Sequence, residues 1–374
     1  MVRASRPRGV ARAAVLALVA IFLAAATPAA LANGATRGIH PLAQTSVFSV
    51  GITRCTFVDH SRSVLNYSTS TPTLFSKART LVTEIRYPTQ LVAGGPSERP
   101  GASPVAQSGG YPMIVFAHGY DVTPDRYAPL LDAWARAGYV VAAPFFPDEQ
   151  PSAIAAQHGV NTEDDLVNEP ADLAFVTSAI LQASATESPG CPLVSGLVDP
   201  SEIALAGHSD GAGAVGMLAY DHGNDPQGVN YAALRSGISY RAVMIFSGAE
   251  DSAQSYAAQA SHPDLLIVQS LADQCNPIRD DVKLYDAIHQ SNKWFLELRN
   301  SHHLPPFDGV DVPAFRVVVA TTERFLQLSL EDTTTSSSLL AAANQDPSVA
   351  HIYSGPPGPS LLNAPVIRES CGPN

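Results

Sequence analysis

Short, uninterrupted runs of apolar residues recur along the chain, and stretches with helical spacing follow most of them. Such runs are typical of strands buried on both faces of a sheet. They lie at residues 113–117, 140–143, 203–206, 242–246, 265–268 and 294–296. Strands that alternate with helices are joined by right-handed crossovers and pair in parallel. The pattern therefore predicts an α/β fold with a mostly parallel central sheet and helices on both faces.

The clearest predicted helix follows the first buried run. Tyr127, Leu130, Leu131 and Trp134 recur at the spacing of one helix face, and Gly138 stands where a left-handed cap ends a helix. The same reasoning predicts further helices at residues 171–182, 212–220, 280–290 and 314–328.

Two segments in front of the first buried run have different patterns. Residues 81–87 alternate between apolar and polar, with Glu84 and Arg86 on one face, which predicts a half-exposed edge strand. Residues 91–110 are rich in Gly, Pro and Ser, which predicts a flexible surface loop.

The two ends of the sequence predict a division into three parts. Four arginines precede an apolar run at residues 13–26, and Ala30-Leu31-Ala32 matches the cleavage pattern of a signal peptide, predicted over residues 1–32. That run is shorter than the roughly 20 residues of a membrane span, so we expect a secreted protein without a stable membrane anchor. The catalytic domain is predicted over residues 33–330, followed by a poorly ordered tail over residues 331–374 that is rich in Thr, Ser, Pro and Gly.

Composition excludes some function classes. The chain of 374 residues is 45% hydrophobic and 15% charged, as expected of a globular protein. Its formal net charge of -12 argues against nucleic acid as a partner, because a phosphate backbone requires clustered Lys and Arg.

The four cysteines, at positions 55, 191, 275 and 371, acquire a meaning from the predicted export. In an oxidising compartment an even number of cysteines favours disulfides, here two, with no free thiol. All three connectivities remain open. The cysteines include no CxxC pair, and the histidines lack the spacing of metal ligands, so we expect no metal and no cofactor.

The strongest local signal is the pentapeptide Gly207-His208-Ser209-Asp210-Gly211, which has the form GxSxG. A serine on a tight turn between strand and helix requires glycines around it, because side chains do not fit where the two elements approach. The pentapeptide directly follows a predicted strand and opens a predicted helix. Ser209 is therefore the candidate nucleophile.

A serine nucleophile requires a base within hydrogen-bond reach and an acid that orients the base. Asp273 follows the apolar run at 265–268 and is the candidate acid, with Glu250 and Asp251 as rivals after the preceding strand. His302 and His303 follow the run at 294–296, and either could be the base. Both loops lie at the carboxyl ends of predicted strands, where ligands bind in such sheets.

The tetrahedral intermediate also requires hydrogen-bond donors for its oxyanion. At a GxSxG turn the first donor is the backbone N–H of the residue after the serine, Asp210. The loop after the first buried run, with Gly119 beside the serine, offers the N–H of Tyr120 as the second.

From about residue 80 to residue 328 the sequence resembles the α/β-hydrolase superfamily, and within it the secreted bacterial esterases. The nearest group is dienelactone-hydrolase-like and includes platelet-activating-factor acetylhydrolases and cutinase-like polyester hydrolases. The residues that carry the resemblance are Arg86-Tyr87-Pro88, Phe116-Ala117-His118-Gly119-Tyr120, Gly207-His208-Ser209-Asp210-Gly211, Ala272-Asp273 with Pro277, and Ser301-His302.

The resemblance implies roles for individual residues. Ser209 matches the nucleophile, Asp273 the acid and His302 the base, because the family pattern is a Ser-His pair. Two departures bear on the substrate. Asp210 stands where polyester hydrolases typically have Met, which argues against polyester substrates, and dienelactone hydrolases proper use a cysteine as nucleophile instead of a serine.

These observations predict a serine carboxylic-ester hydrolase that forms an acyl-enzyme on a small-molecule or lipid-like ester. A peptidase or amidase would use the same triad and differ in the leaving group. A third alternative is a catalytically silent binding protein on a hydrolase fold.

Overall fold

The computed structural model describes residues 48–66, 73–92, 98–156, 163–186, 188–225, 227–248, 263–290 and 292–365. These residues fall within one compact unit, His40–Asn374. The predicted signal peptide, Glu250, Asp251 and Cys371 lie outside the described residues.

A ten-stranded sheet forms the centre of the described part of the chain, with a separate two-stranded hairpin beside it. Its strands occur along the chain in this order: β1 (Ser49–Asp59), β4 (Arg79–Thr89), β5 (Glu98–Pro100), β6 (Tyr111–Ala117), β7 (Val140–Pro144), β8 (Val198–His208), β9 (Tyr240–Phe246), β10 (Asp264–Ser270), β11 (Lys293–Leu298) and β12 (Ala350–Tyr353). The hairpin consists of β2 (Val64–Asn66) and β3 (Thr73–Ser76). In space the order is β12-β11-β10-β9-β8-β6-β7-β4-β1-β5.

The six central strands, from β7 to β11, run parallel, and antiparallel strands flank them on both sides. Helices connect the parallel strands. The described helices are α1 (Ala128–Arg136), α2 (Pro151–Ala156), α3 (Glu169–Ala185), α4 (Asp210–Tyr220), α5 (Tyr231–Leu234), α6 (Ile278–Ala287), α7 (Pro305–Asp308), α8 (Val312–Ser329), α9 (Ser336–Ala343) and α10 (Pro359–Leu362).

Two apolar clusters cover the two faces of the sheet. Along β6, Met113 and Val115 belong to one cluster, whereas Ile114 and Phe116 belong to the other, as the alternation of side chains in a strand requires. Helices α3, α4 and α6 contribute to the first cluster, and α1, α8 and α9 to the second. The predicted α/β architecture, with helices on both faces of a mostly parallel sheet, is confirmed.

The prediction of an edge strand at residues 81–87 is wrong. β4 lies between β7 and β1, and Glu84 and Arg86 are buried. The Arg86 guanidinium donates to the Glu84 carboxylate and, over 3.1 Å, to Asp132 in α1. Burial of these two charged side chains is tolerated because each neutralises the other. The edge is formed instead by β5, within the stretch predicted to be a surface loop.

The prediction of a poorly ordered tail also differs from the structure. Residues 331–365 contain α9, β12 and α10, and β12 pairs antiparallel with β11, with Leu296 opposite Ile352. Leu339 and Ala343 of α9 are buried in the second apolar cluster. This segment therefore extends both the central sheet and the second apolar cluster.

One disulfide joins Cys55 in β1 to Cys191, which precedes the short 3₁₀ turn Pro192–Val194. Cys275 is also disulfide-bonded. No helix among the described residues has the length and apolar character that a membrane span requires.

We expect the Cys55→Ala/Cys191→Ala double variant to lose about 2 to 5 kcal/mol in free energy of unfolding, because the bridge closes a loop with a sequence separation of 136. Urea unfolding followed by circular dichroism measures the loss, and the unchanged Cys275 bridge confines the effect to this pair. An unaltered unfolding midpoint would contradict the stabilising role.

Candidate functional site

Ser209 occupies the sharp turn between β8 and α4, with φ 56° and ψ −122°. A positive φ is uncommon for a residue other than glycine and stores strain in the backbone. The Ser209 N–H donates to the carbonyl of Phe246 at the end of β9 over 3.0 Å, which fixes the turn against the neighbouring strand. The turn therefore lifts the Ser209 side chain above the carboxyl edge of the sheet, as the GxSxG pattern predicts.

The two glycines of the pentapeptide are required by the close approach of strand and helix. A Cβ atom on Gly207 would lie 2.2 Å from the carbonyl oxygen of Gly211, and one on Gly211 would lie 2.4 Å from that of Ala117 in β6. Backbone atoms cannot yield to such contacts, so any larger residue would displace the turn.

The loop after β6 lies directly against the serine. A Cβ on Gly119 would come within 2.9 Å of the Ser209 Cβ, so the glycine brings this loop as close as the backbone allows. Tyr120 follows it, and Asp210 is the first residue of α4. The N-terminus of a helix favours an incoming anion, because its backbone N–H groups and the helix dipole point toward it.

Asp273 lies in the loop after β10 and is buried. Its Oδ1 accepts hydrogen bonds from the N–H groups of Cys275 and Asn276, over 2.7 and 2.9 Å. These bonds orient the carboxylate and leave Oδ2 directed toward the loop after β11.

The side chain that meets this carboxylate belongs to His303. Its Nδ1 lies 2.8 Å from Asp273 Oδ2. The expectation that His302 is the partner of Asp273 is therefore wrong by one residue. The exposed His302 instead contacts Gln274 Oε1 with its Nδ1, over 3.2 Å. The two neighbouring side chains therefore have different partners, Asp273 for His303 and Gln274 for the exposed His302.

Three contacts hold the loop that carries His302 and His303 in place. The Ser270 hydroxyl donates to the Ser301 carbonyl over 2.5 Å, and the His303 N–H donates to Gln274 Oε1 over 3.4 Å. The His303 carbonyl lies 3.1 Å from Nε2 of His208. Sequence reasoning assigned no role to Gln274 or His208, although both adjoin residues of the predicted triad.

His118 supports the loop that carries Gly119. Its Nε2 accepts the N–H of Phe146, over 3.1 Å, and its Nδ1 lies 2.8 Å from the Gly119 carbonyl. The ring is completely buried, and this burial lowers the pKa of His118 to about 4. A neutral ring with the proton on Nδ1 satisfies both contacts.

This pKa predicts an acid-sensitive contribution to stability. Because the unfolded chain binds a proton at His118 near pH 6.5 and the folded protein does so only near pH 4, stability falls as the pH decreases between these values. We expect the wild type to lose up to about 3 kcal/mol more than His118→Gln between pH 7 and pH 4.

Urea unfolding at several pH values measures that difference. Glu169, whose pKa is raised well above the usual range by burial and by nearby Glu149, acts in the opposite direction. It occurs in both proteins, so its effect cancels in the comparison. Parallel stability curves for the two proteins would show that His118 is not held neutral.

One group of potential metal-ligating atoms occurs in the described part of the chain, formed by Asp273, Cys275 and His303, whose ligand atoms lie within 4.8 Å of one another. Cys275 is disulfide-bonded and therefore cannot supply the thiolate that a metal site of this kind requires. Asp273 and His303 bind each other. The donor set therefore fits an acid–base pair better than a metal centre.

Comparisons with known proteins agree with this architecture. The family model of the chlorophyllases matches residues 96–239, which include Gly119 and Ser209 but neither Asp273 nor His303. A ferulic acid esterase from Streptomyces cinnamoneus has a similar structure, with a TM-score of 0.55 and 16% sequence identity over 78% of this chain and 92% of that chain. No curated protein sequence matches the chain.

The sheet order, the strained serine turn and the structural match give the described part of the chain the α/β-hydrolase fold. The resemblance inferred from the sequence is thereby confirmed at the level of the fold.

Proposed function

We propose that this protein is a secreted serine hydrolase that cleaves carboxylic esters, with Ser209 as nucleophile, His303 as base and Asp273 as acid. The observation that carries the proposal is the hydrogen bond of 2.8 Å between His303 Nδ1 and Asp273 Oδ2, in a loop held beside the strained Ser209 turn. The chlorophyllase match and the esterase neighbour favour ester substrates within the superfamily.

The acid–base pair supports a definite protonation state. With Nδ1–H donated to Asp273, the neutral His303 ring has its lone pair on Nε2, the atom that a general base uses. Nε2 takes the hydroxyl proton as Ser209 Oγ attacks the ester carbonyl. The resulting imidazolium is stabilised by the Asp273 carboxylate, whose other oxygen is held by two backbone N–H groups.

The tetrahedral intermediate carries a negative charge on the former carbonyl oxygen. We assign its stabilisation to the backbone N–H groups of Tyr120 and Asp210. In other hydrolases the loss of one such donor costs about 2.7 to 4 kcal/mol of transition-state stabilisation. The proximity of Gly119 to Ser209 supports this assignment, because Tyr120 is the next residue of that loop.

Collapse of the intermediate breaks the bond between the acyl carbon and the alcohol oxygen. The His303 imidazolium donates its proton to the departing alcohol, and the acyl group remains on Ser209 Oγ. In the second half, His303 removes a proton from water and the resulting hydroxide attacks the acyl carbon. The bond from the acyl carbon to Ser209 Oγ then breaks, His303 returns the proton to Oγ, and the carboxylic acid leaves.

Export is part of the proposal. The arginine-rich start, the apolar run at residues 13–26 and Ala30-Leu31-Ala32 form the pattern of a signal peptide. The bridge between Cys55 and Cys191 supports it, because structural disulfides persist in oxidising compartments.

Hydrolysis of p-nitrophenyl esters of rising acyl length, measured beside one p-nitroanilide, tests the proposed activity. We expect turnover of the short and medium esters and little or none of the anilide, because an amine is a poorer leaving group than a phenol. Faster cleavage of the anilide would favour the peptidase alternative. No turnover of any substrate would favour a silent binding protein.

A further inference from the structure

We propose that His208 is a positioning residue whose neutral imidazole joins the loops of the nucleophile, the base and the oxyanion donors into one hydrogen-bonded unit. The inference rests on the proposed function and extends it to a residue outside the triad. His208 acts through the backbone of His303 and does not touch the substrate.

The ring of His208 is buried and meets a different loop at each nitrogen. Nε2 lies 3.1 Å from the carbonyl oxygen of His303, in the loop after β11. Nδ1 lies 2.7 Å from the hydroxyl of Tyr127, at the start of α1. That hydroxyl in turn accepts the N–H of Gly119, in the loop after β6, over 3.3 Å.

These contacts allow one direction of hydrogen bonding. A carbonyl oxygen only accepts, so Nε2 of His208 carries the proton and donates it to His303. Nδ1 is then the acceptor of the Tyr127 O–H, and the Tyr127 oxygen is available for the N–H of Gly119. Every donor in the chain from Gly119 to His303 is therefore matched to an acceptor.

This series of hydrogen bonds requires the His208 ring to stay neutral. A proton on Nδ1 would oppose the Tyr127 hydroxyl and would place a second positive charge beside His303, whose ring centroid is 4.5 Å away. Burial, followed by the nearby His303, lowers the pKa of His208 well below its usual value. The ring therefore remains a hydrogen-bond donor while His303 gains and loses its proton.

Packing restricts the ring further. Its centroid lies 5.0 Å from that of Phe307 in α7 and 5.4 Å from that of Tyr127. Since His208 directly precedes Ser209, its bond to the His303 carbonyl sets the base loop at a fixed height above the nucleophile. A shift of about 1 Å between such groups is enough to lower a rate about 100-fold.

His208→Phe tests the proposal, because it retains an aromatic ring but has no donor for the His303 carbonyl. We expect kcat for p-nitrophenyl acetate to fall about 100-fold, with KM within about threefold of the wild type. His208→Gln restores a side-chain N–H and should recover kcat to within about tenfold of the wild type. A role in packing alone would give the opposite order, because Phe fills the site and Gln does not.

Two further variants keep the test independent of folding. Tyr127→Phe removes only a hydroxyl from a buried ring and should lower kcat about tenfold, because both His208 and the N–H of Gly119 lose their bond to that hydroxyl. Met244→Ala, in the same apolar cluster on β9, should lower the unfolding temperature but leave kcat unchanged. Equal kcat values for His208→Phe, His208→Gln and the wild type would overturn the proposal.

The state of the His208 ring can be measured without any substrate. Long-range proton–nitrogen NMR of the Ser209→Ala variant should show a neutral ring with the proton on Nε2 from pH 8 to pH 5. A proton on Nδ1, or a charged ring at pH 6, would overturn the inference. A wild type that hydrolyses no ester would instead contradict the proposed function, and the NMR measurement would still decide the state of His208.

Discussion

Replacing His303 with alanine should lower kcat/KM for p-nitrophenyl acetate by about 10,000-fold or more, whereas His302→Ala should stay within about tenfold of the wild type. The reason is the register of the loop after β11. His303 Nδ1 meets the Asp273 carboxylate at 2.8 Å, while the exposed His302 meets only the amide oxygen of Gln274.

The two variants serve as matched controls, because they remove the same side chain from adjacent positions of one loop. His302→Ala should unfold at a temperature close to that of the wild type, since its side chain is exposed. His303→Ala should unfold at a somewhat lower temperature, because it leaves the buried Asp273 Oδ2 without its partner, but it should still fold. If His302→Ala were the inactive variant, the loop in solution would have the other register, and the pairing with Asp273 would have to be reassigned.

Ser209→Ala should abolish ester hydrolysis, with a loss of about 10,000-fold to 1,000,000-fold in kcat, because it removes the attacking oxygen. The fold should persist, since a methyl group is smaller than the hydroxymethyl group and the turn is held by Gly207 and Gly211. Steady-state kinetics and circular dichroism of the same preparation check both expectations.

Ser247→Ala is a suitable control for that variant. Ser247 follows the neighbouring strand β9 and also has a positive φ, 48°. Its hydroxyl, however, donates to Gln269 Oε1 over 3.1 Å. We expect a loss of about 1 kcal/mol in stability and an unchanged kcat. A comparable loss of activity in both variants would show that the strained turns, and not the Ser209 hydroxyl, limit the rate.

The centre of the fold could be predicted from the sequence because its strands are buried on both faces. Runs such as 113–117 and 242–246 lack polar residues, and they became β6 and β9 within one or two residues of the predicted ends. The flanks could not be predicted in the same way. The sequence predicts that Arg86 is exposed, because its burial depends on its partners Glu84 and Asp132. Asp132 is distant in sequence, so no local pattern indicates this pairing.

The sequence predicts which loops carry the candidate site, but not which of the two histidine rings meets Asp273. Ser209 follows directly from the position of GxSxG, whereas Asp273 is one of three carboxylates after strand ends, with Glu250 and Asp251 as rivals. The choice between His302 and His303 depends on hydrogen bonds with Ser270, Gln274 and His208, which lie elsewhere in the sequence. A dipeptide of two histidines carries no local signal for that choice.

The central claim is that Ser209 is activated by the pair of His303 and Asp273. Labelling with an organophosphonate, followed by intact-mass and peptide mass spectrometry, tests it most directly, because the reagent forms a covalent bond only with an activated serine. We expect one adduct per chain, on Ser209, formed by the wild type and His302→Ala but not by His303→Ala. An adduct on another serine, or equal labelling of His303→Ala, would contradict it.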